Sequence, residues 1–367
     1  MNWKHFRLTT RLNFKAEIVE KIYETIAVID GVKNSWKITA HLLPQTLEQL
    51  MHSVIVTSTG SSNRIEGNRL TDQEVEDLYK NLRIQKFKTR DQQEVAGYLE
   101  MLELIFSHYQ EMPLTENTIL TLHTDLLRHC SKDLHHKGRY KVGSNRVEAK
   151  DHTGKIVGVI FDPTPPHLVK KEMQELMAWY EWANAHKIKH PLILIANFIF
   201  EYLAIHPFQD GNGRTSRLLT NLMLLQKGYL FIPVVSHERI VETHKADYYL
   251  ALNKTQKSWK TADEDVSPWI LFFLKSLELQ AQEALTILEA DRSVDLSLSD
   301  NQLALFRWAT ENSNKTFSRK DAIAALGLAE RTTESVIKRL VELKKLQRLG
   351  TGRATRYRVI LSEIYSK

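Results

Sequence analysis

Over most of its 367 residues the chain repeats apolar side chains at spacings of three and four, with few glycine or proline breaks. That period is the helical one, and it restricts the chain to a mainly α architecture. It predicts helices over Ala16–Asp30, Thr71–Leu82, Val95–Tyr109, Glu116–Arg128, His167–His186, Leu192–Ile205 and Ser267–Leu288. One stretch departs from it. From Arg139 to Asp162 the helical period disappears, and KVGSNRVEAKDHTGKIVGVIFD places a β-branched run after a glycine-bearing turn, which predicts a hairpin. The following PTPP, Pro163 to Pro166, forbids regular pairing and leads into the next amphipathic helix.

The length suggests two or three domains. Apolar residues at 43% and charged residues at 26% exclude collagen-like, low-complexity and wholly disordered chains. The longest apolar stretch, Pro191 to Phe208, is broken by Asn197, Glu201 and His206 and is too polar for a membrane helix. The opening MNWKHFRLTT lacks a signal-peptide pattern. Cys130, the only cysteine, allows neither an intrachain disulfide nor a cysteine zinc cluster, so a cytoplasmic protein with no membrane partner is expected.

The net charge of +6 is unevenly placed: Ser299 to Lys367 holds 14 Lys and Arg against 7 Asp and Glu, leaving the preceding residues close to neutral. A polar, serine-rich DRSVDLSLSD at Asp291 to Asp300 reads as a linker. Beyond it come helices over Asn301–Glu311, Ser318–Leu326 and Ala329–Lys345, with a turn at Gly327, then two short alternating runs around Gly-Thr-Gly. This order resembles a winged helix-turn-helix, with Arg331, Lys338 and Arg339 on the second helix and Arg348, Arg353, Arg356 and Arg358 on the wing. The basic patch over 318–358 suits DNA or, equally, a protein docking partner; Thr333 stands where such helices usually carry an apolar residue.

Residues 206–219 read HPFQDGNGRTSRLL and assemble the parts of a phosphate-transfer site. His206 ends an apolar helix before Pro207, a bend that suits a general base with a pKa near neutrality. Asp210 offers the hard oxygen that Mg2+ takes alongside waters and nucleotide phosphates. Gly211, Asn212 and Gly213 can turn successive N–H groups into an anion nest, to which the following helix adds its positive end. Arg214 and Arg217, three apart, project from one face toward terminal phosphate oxygens. Singly, a His-Pro is usually a helix end, Asp-Gly-Asn-Gly a solvated turn and two arginines a charged face. In one fixed order they point to nucleotide phosphate.

His206-Pro-Phe-Gln-Asp-Gly-Asn-Gly-Arg-Thr-Ser-Arg217 resembles, at every defining position, the HPFx(D/E)GNGRxxR motif of the Fic family. The resemblance implies a protein adenylyltransferase that moves AMP from ATP to a Ser, Thr or Tyr hydroxyl of a protein, with Mg2+. It gives His206 the role of base and Asp210 that of metal ligand. Asn212 and the glycines would hold the α- and β-phosphates, and Arg214 and Arg217 the β- and γ-phosphates. Ser62-Asn-Arg-Ile-Glu66-Gly67-Asn68 is similar to the family's inhibitory (S/T)xxxE(G/N) segment, which implies that Glu66 pairs with Arg217 and blocks the productive γ-phosphate pose. By themselves, Ser62 reads as a helix N-cap and Glu66 as a surface carboxylate. The hairpin resembles the Fic flap, with Val157, Gly158, Val159, Ile160 and Phe161 as the strand that docks a target peptide; the alternative is a plain surface hairpin. Tyr248, Tyr249 and Gln256 fall where some members contact the nucleoside, although a Tyr-Tyr pair on an apolar helix reads equally as core. His237 and His244 lack partners at metal spacing and read as structural.

The expected fold is therefore mainly α: a Fic-type helical core with a β-hairpin flap (139–162), plus a C-terminal winged helix-turn-helix domain. The expected boundaries are 1–110, holding the inhibitory segment 62–68, then 111–290 and 291–367. The resemblance spans about 50 to 275, and the opening helices look like the extension of long bacterial members. The expected function is an autoinhibited, Mg2+-dependent adenylyltransferase acting on proteins, itself included, as a homodimer. The alternatives are a DNA-binding regulator with a nucleotide-sensing core, removal of AMP at the same site, or transfer of another nucleotide.

Overall fold

The helical period is realised along almost the whole chain. The computed structural model describes residues 2–39, 44–82, 87–145, 147–150, 156–296, 298–311, 316–352 and 355–360. In order, α1 (Arg7–Thr10), α2 (Ala16–Thr39), α3 (Pro44–Ile65), α4 (Asp72–Lys80), α5 (Arg90–His108) and α6 (Glu116–Leu126) precede a hairpin of β1 (Val147–Lys150) and β2 (Ile156–Phe161). Then follow α7 (Pro166–Ala185), α8 (Pro191–Ile205), α9 (Asn212–Gln226), α10 (His237–Thr243), α11 (Lys245–Gln256) and α12 (Ser267–Leu296). The chain ends in α13 (Asp300–Glu311), α14 (Arg319–Leu326), α15 (Glu330–Glu342), β3 (Leu346–Leu349) and β4 (Arg356–Val359).

Local chemistry sets the ends of these helices. Capping boxes open α4 (Thr71 with Glu74) and α5 (Thr89 with Gln92), and prolines stand in the first turn of α7 and α8. Two expectations fail. The segment that ends in SNRI is helical, so Ser62 lies in the last turn of α3 and is no N-cap; burial of Ser58, Thr59, Ser61 and Asn63 overrides their preference for caps and turns. The serine-rich stretch read as a linker continues α12 as far as Leu296. The hairpin is also shorter than expected, with strands only from Val147, and residues 151–155 lie outside the described residues.

The chain divides into two compact units, one of Met1–Asn34 and His52–Gln282, the other of Ser35–Met51 and Glu283–Lys367. In the first, α8 is apolar all round and buried from Leu192 to Ile205, which makes it the core helix, packed between α7 and α9. No described helix is long and apolar enough to cross a membrane.

The polar breaks in α8 have partners. Glu201 is clasped by Arg7 and Arg11, both of which also reach Glu264 (2.7 Å each), while Arg11 Nε donates to Asn197 Oδ1 at 2.7 Å. Burial alone would raise the Glu201 carboxyl, but Arg11 and Arg7 outweigh it and hold the pKa at about 2. Arg11→Met leaves Glu201 and Glu264 to Arg7 alone and should cost about 3 kcal/mol, the low end for breaking a buried pair because one arginine still meets both carboxylates, read by denaturant unfolding. The sign follows from the depressed pKa. The charged pair's stability is complete above the ordinary glutamate value of 4.5 and is lost as pH falls toward about 2, so the gap between wild type and variant should close in that window.

In the second unit, Leu305, Phe306, Phe317, Ile337, Leu340 and Val359 share a core. The β3–β4 pairing is antiparallel, Leu346 opposite Val359, and Phe317 bridges to Tyr357. Gly327 closes α14 in the left-handed region. Thr333 is fully buried, its hydroxyl donating to the Ala329 carbonyl, which explains a threonine at an inward position.

Candidate active site

The motif loop lies between the two most buried helices of the first unit. At the end of α8, His206 adopts φ 53°, and Gly211, φ 80°, precedes α9. Between them the backbone reverses, so His206 and the amino end of α9 flank a short loop. That loop is held from several sides. Asn212 Nδ2 donates to the Phe208 carbonyl (2.8 Å), and the Phe208 N–H donates to Asn212 Oδ1 (2.9 Å). Asn145 Nδ2 donates to the same carbonyl at 2.9 Å. Below it, His123 stacks on Phe208 with ring centroids 3.7 Å apart, Nε2 donates to the Asp210 carbonyl (2.9 Å), and Nδ1 accepts the Gly138 N–H (2.9 Å). Burial pushes the His123 pKa down to about 4, so the ring is neutral and this tautomer is fixed.

His206 is half-buried, and its Nδ1 donates to the Leu203 carbonyl at 3.3 Å, which leaves Nε2 as a lone-pair acceptor. Its pKa is not near neutrality as expected. Burial, with the Lys141 charge adding to it, moves the ring down to about 4. Lys141, itself depressed to about 8 by burial, donates from Nζ to Asn145 Oδ1 at 2.7 Å. The His206 ring is thus uncharged throughout the physiological range.

The nest differs from the expected one. Only Gly211 takes a left-handed φ; Asn212 and Gly213 are already the first turn of α9, and the Asn212 side chain is spent on closing the loop. The anion seat is therefore the helix end itself. Gly213 is closely approached: a Cβ there would displace the Glu66 carboxylate. That carboxylate caps the seat and accepts from Arg217 Nη2 at 2.8 Å. The same arginine donates to Ser62 Oγ (2.7 Å) and the Ser62 carbonyl (2.9 Å), while its buried Nη1 has no hydrogen-bond partner. Ser62 and Glu66 are thus brought to one guanidinium, and Gly67 (φ 96°) and Asn68 end the helix that carries them. Glu66 outweighs burial and keeps Arg217 firmly charged.

Arg214 is buried, with Nη2 3.3 Å from Asp210 Oδ1 and Nη1 3.4 Å from Glu94. Asp210 is 41% exposed and accepts its neighbour's Gly211 N–H (2.6 Å) and Arg90 Nη2 (2.7 Å). Burial would raise it, but Arg214, the Gly211 N–H and Arg90 together lower it, so it is an anion at neutral pH. Among the described residues no group of three or more His, Cys, Asp and Glu could hold a metal. An ionised, half-open carboxylate beside an anion seat fits a divalent ion whose other ligands are phosphate and water.

The remaining expected residues fall further out. Tyr248 is core, packed on Trp269 and Phe272. The Tyr249 hydroxyl donates to the Ile65 carbonyl (3.4 Å), and Gln256 keeps a buried Oε1 without a partner. Val157 to Ile160 lie on β2, whose other edge has no strand partner among the described residues, and Phe161 is buried on Trp259. His237 is buried against Ser276, as a structural histidine should be. Arg353 lies outside the described residues. Sequence reasoning missed Arg90, Glu94, His123 and Lys141, because each reaches the loop from a distant element and carries no local pattern.

In a mainly helical fold, a histidine and a glycine-bearing helix start thus flank one closed loop. Residues 113–224 match the model of the Fic/DOC family, so the chain carries a Fic domain over that segment. It is 30% identical over 220 residues to a protein adenylyltransferase Fic of Nematostella vectensis, covering 59% of this chain and 45% of that one. The chain thus spans less than half the length of that relative. Its fold is similar to a Fic family protein from Desulfovibrio desulfuricans G20 (TM-score 0.61, 23% identity, 93% of this chain and 96% of that one). It is also similar to a Fic domain containing signaling protein from Bacteroides thetaiotaomicron VPI-5482 (TM-score 0.58, 25% identity, 71% and 98%).

Proposed function

We propose that the site transfers AMP from ATP to a Ser, Thr or Tyr hydroxyl of a protein, and that Glu66 holds it in an inhibited ground state. The observation that carries this reading is the Glu66 carboxylate lying on Gly213 and paired with Arg217, an internal anion in the seat where a phosphate would go. His206 Nε2 is placed to take the proton of the incoming hydroxyl. Its oxygen bonds to the α-phosphorus, the bond from that phosphorus to the bridging oxygen breaks, and pyrophosphate leaves. The end of α9 and Arg214 balance the charge on the phosphates, and Arg217 does so once Glu66 has let go. Mg2+, when bound, supplies further charge neutralisation, and Asp210 is the residue to hold it. The open edge of β2 suits a target chain added as a further strand. The named activity of the relatives supports the same chemistry.

The experiment is the intact mass of the Glu66→Gly protein after incubation with Mg2+ and, separately, ATP, UTP, GTP and CTP. A gain of one AMP with ATP alone is expected, by self-modification. A gain with another nucleotide, or none with any, goes against the adenylyl reading.

For the second unit we propose a winged-helix form, supported by the sequence of three helices and a β3–β4 hairpin and by the left-handed turn at Gly327. We do not extend it to duplex binding. Glu330 and Glu334 share the exposed side of α15 with Arg331 and Lys338, and Arg319 pairs with both acids. Backbone chemical shifts of the full chain test the form; helical shifts over Leu346–Leu349 would be incompatible with it.

A further inference from the structure

Arg90 belongs to no motif, yet it stands beside the proposed metal ligand. At the start of α5, half-exposed, it donates from Nη2 to Asp210 Oδ2 at 2.7 Å and from Nε to Glu94 Oε1 at 2.8 Å. Asp210 Oδ1 is turned the other way, toward the Gly211 N–H and Arg214. The outward oxygen is thus the one available to a hard cation, and it is the one that Arg90 holds. A divalent ion at that oxygen would lose a lone pair to the guanidinium and meet its positive charge at contact distance, so the two exclude each other.

The structure also offers the arginine another place. Asp133 is almost fully buried, its Oδ2 has no hydrogen-bond partner, and that oxygen lies 3.5 Å from the same Arg90 Nη2. His136 Nε2 lies 3.1 Å from its Oδ1 but makes no hydrogen bond to it. A buried carboxylate oxygen left unsatisfied is costly, and a small turn of the guanidinium about its Glu94 contact would satisfy it. The two carboxylates flank one arginine: one closely bonded and exposed, one poised and buried.

We propose that Arg90 is the internal counter-cation of Asp210 and that it leaves for Asp133 when a divalent ion enters with the nucleotide. Arg90 is a positioning residue, and its exchange sets how strongly the metal promotes nucleotide binding. The inference rests on the adenylyl-transfer reading only in taking Asp210 as the metal ligand.

The test measures binding, not turnover. In the Glu66→Gly protein, calorimetry gives the Kd of α,β-methylene-ATP in EDTA and in saturating Mn2+, and the ratio of the two is the contribution of the metal. Arg90→Gln should raise that ratio about fivefold, the size expected for loss of one half-exposed ion pair. Asp133→Asn should lower it severalfold in the parent, because the displaced arginine has nowhere to go, and should leave it unchanged in the Arg90→Gln background. Arg90→Lys, which keeps the charge without the fork, should fall between parent and Arg90→Gln, and melting curves confirm that each variant folds. An unchanged ratio in Arg90→Gln, or an Asp133→Asn effect that persists without Arg90, overturns the exchange. Asp210→Asn separates the two levels. If it brings the ratio to one while Arg90→Gln does nothing, only this inference has failed; if it too has no effect, Asp210 is not the metal ligand and the broader reading fails at that residue.

Discussion

His206→Ala, made in a protein already released by Glu66→Gly, is expected to lower AMP transfer by roughly 10²–10⁴-fold, the usual contribution of a positioned base. Nucleotide affinity is expected to be essentially unchanged. Both halves follow from the contacts. The ring's one polar tie is from Nδ1 to Leu203, and nothing that shapes the phosphate seat depends on it, since Asn212, Asn145 and His123 close the loop. Radiolabel incorporation reads the first effect and calorimetry the second. Near-normal transfer without the imidazole would sink the base assignment. The pH profile adds a check: kcat/KM reports the free protein, so its acid limb should fall near 4, where the ring finally takes a proton.

That value marks where the sequence stops being informative. His206-Pro207 announced a histidine at a bend, and the bend is there. The pKa depends on what surrounds the ring, and Lys141 arrives from 65 residues away in the chain, where the hairpin pattern gave no sign that it meets the motif. The long helices were legible because their apolar period is a property of consecutive residues. The helix ending at Ile65 was not, because its serines, threonine and asparagine read as turn formers until the space they fill is known. DRSVDL failed similarly, as a polar stretch that simply prolongs a helix already begun. Asn212 shows a subtler limit. The letters DGNG suggest a concavity of amides, but in the fold the asparagine side chain is turned inward to staple Phe208. Arg90, Glu94 and His123 are the same kind of omission, single residues made important by tertiary approach.

Glu66→Gly is expected to raise AMP incorporation by about tenfold or more, within the range of coupling energies between linked sites. Removing the carboxylate uncovers Gly213, leaves Arg217 Nη2 with the Ser62 carbonyl alone, and adds no atom to the seat. Ser62 continues to hold Nε, so the guanidinium stays in place and does not wander. The comparison is initial rates of radiolabel incorporation at equal protein concentration. Equal rates for the two proteins would mean that Glu66 is no lock. Glu66→Gln is the informative companion: it keeps the bulk over Gly213 and discards the charge, so a partial rise would divide the inhibition between occupancy and attraction.

The left-handed backbone at His206 has an evolutionary side. A histidine at φ 53° carries a conformational cost that glycine escapes and asparagine carries more lightly. Selection for robustness alone would therefore drift away from histidine at this position, and only selection for turnover opposes that drift. A Fic domain that had ceased to be an enzyme and served as a passive scaffold would be expected to lose this residue early.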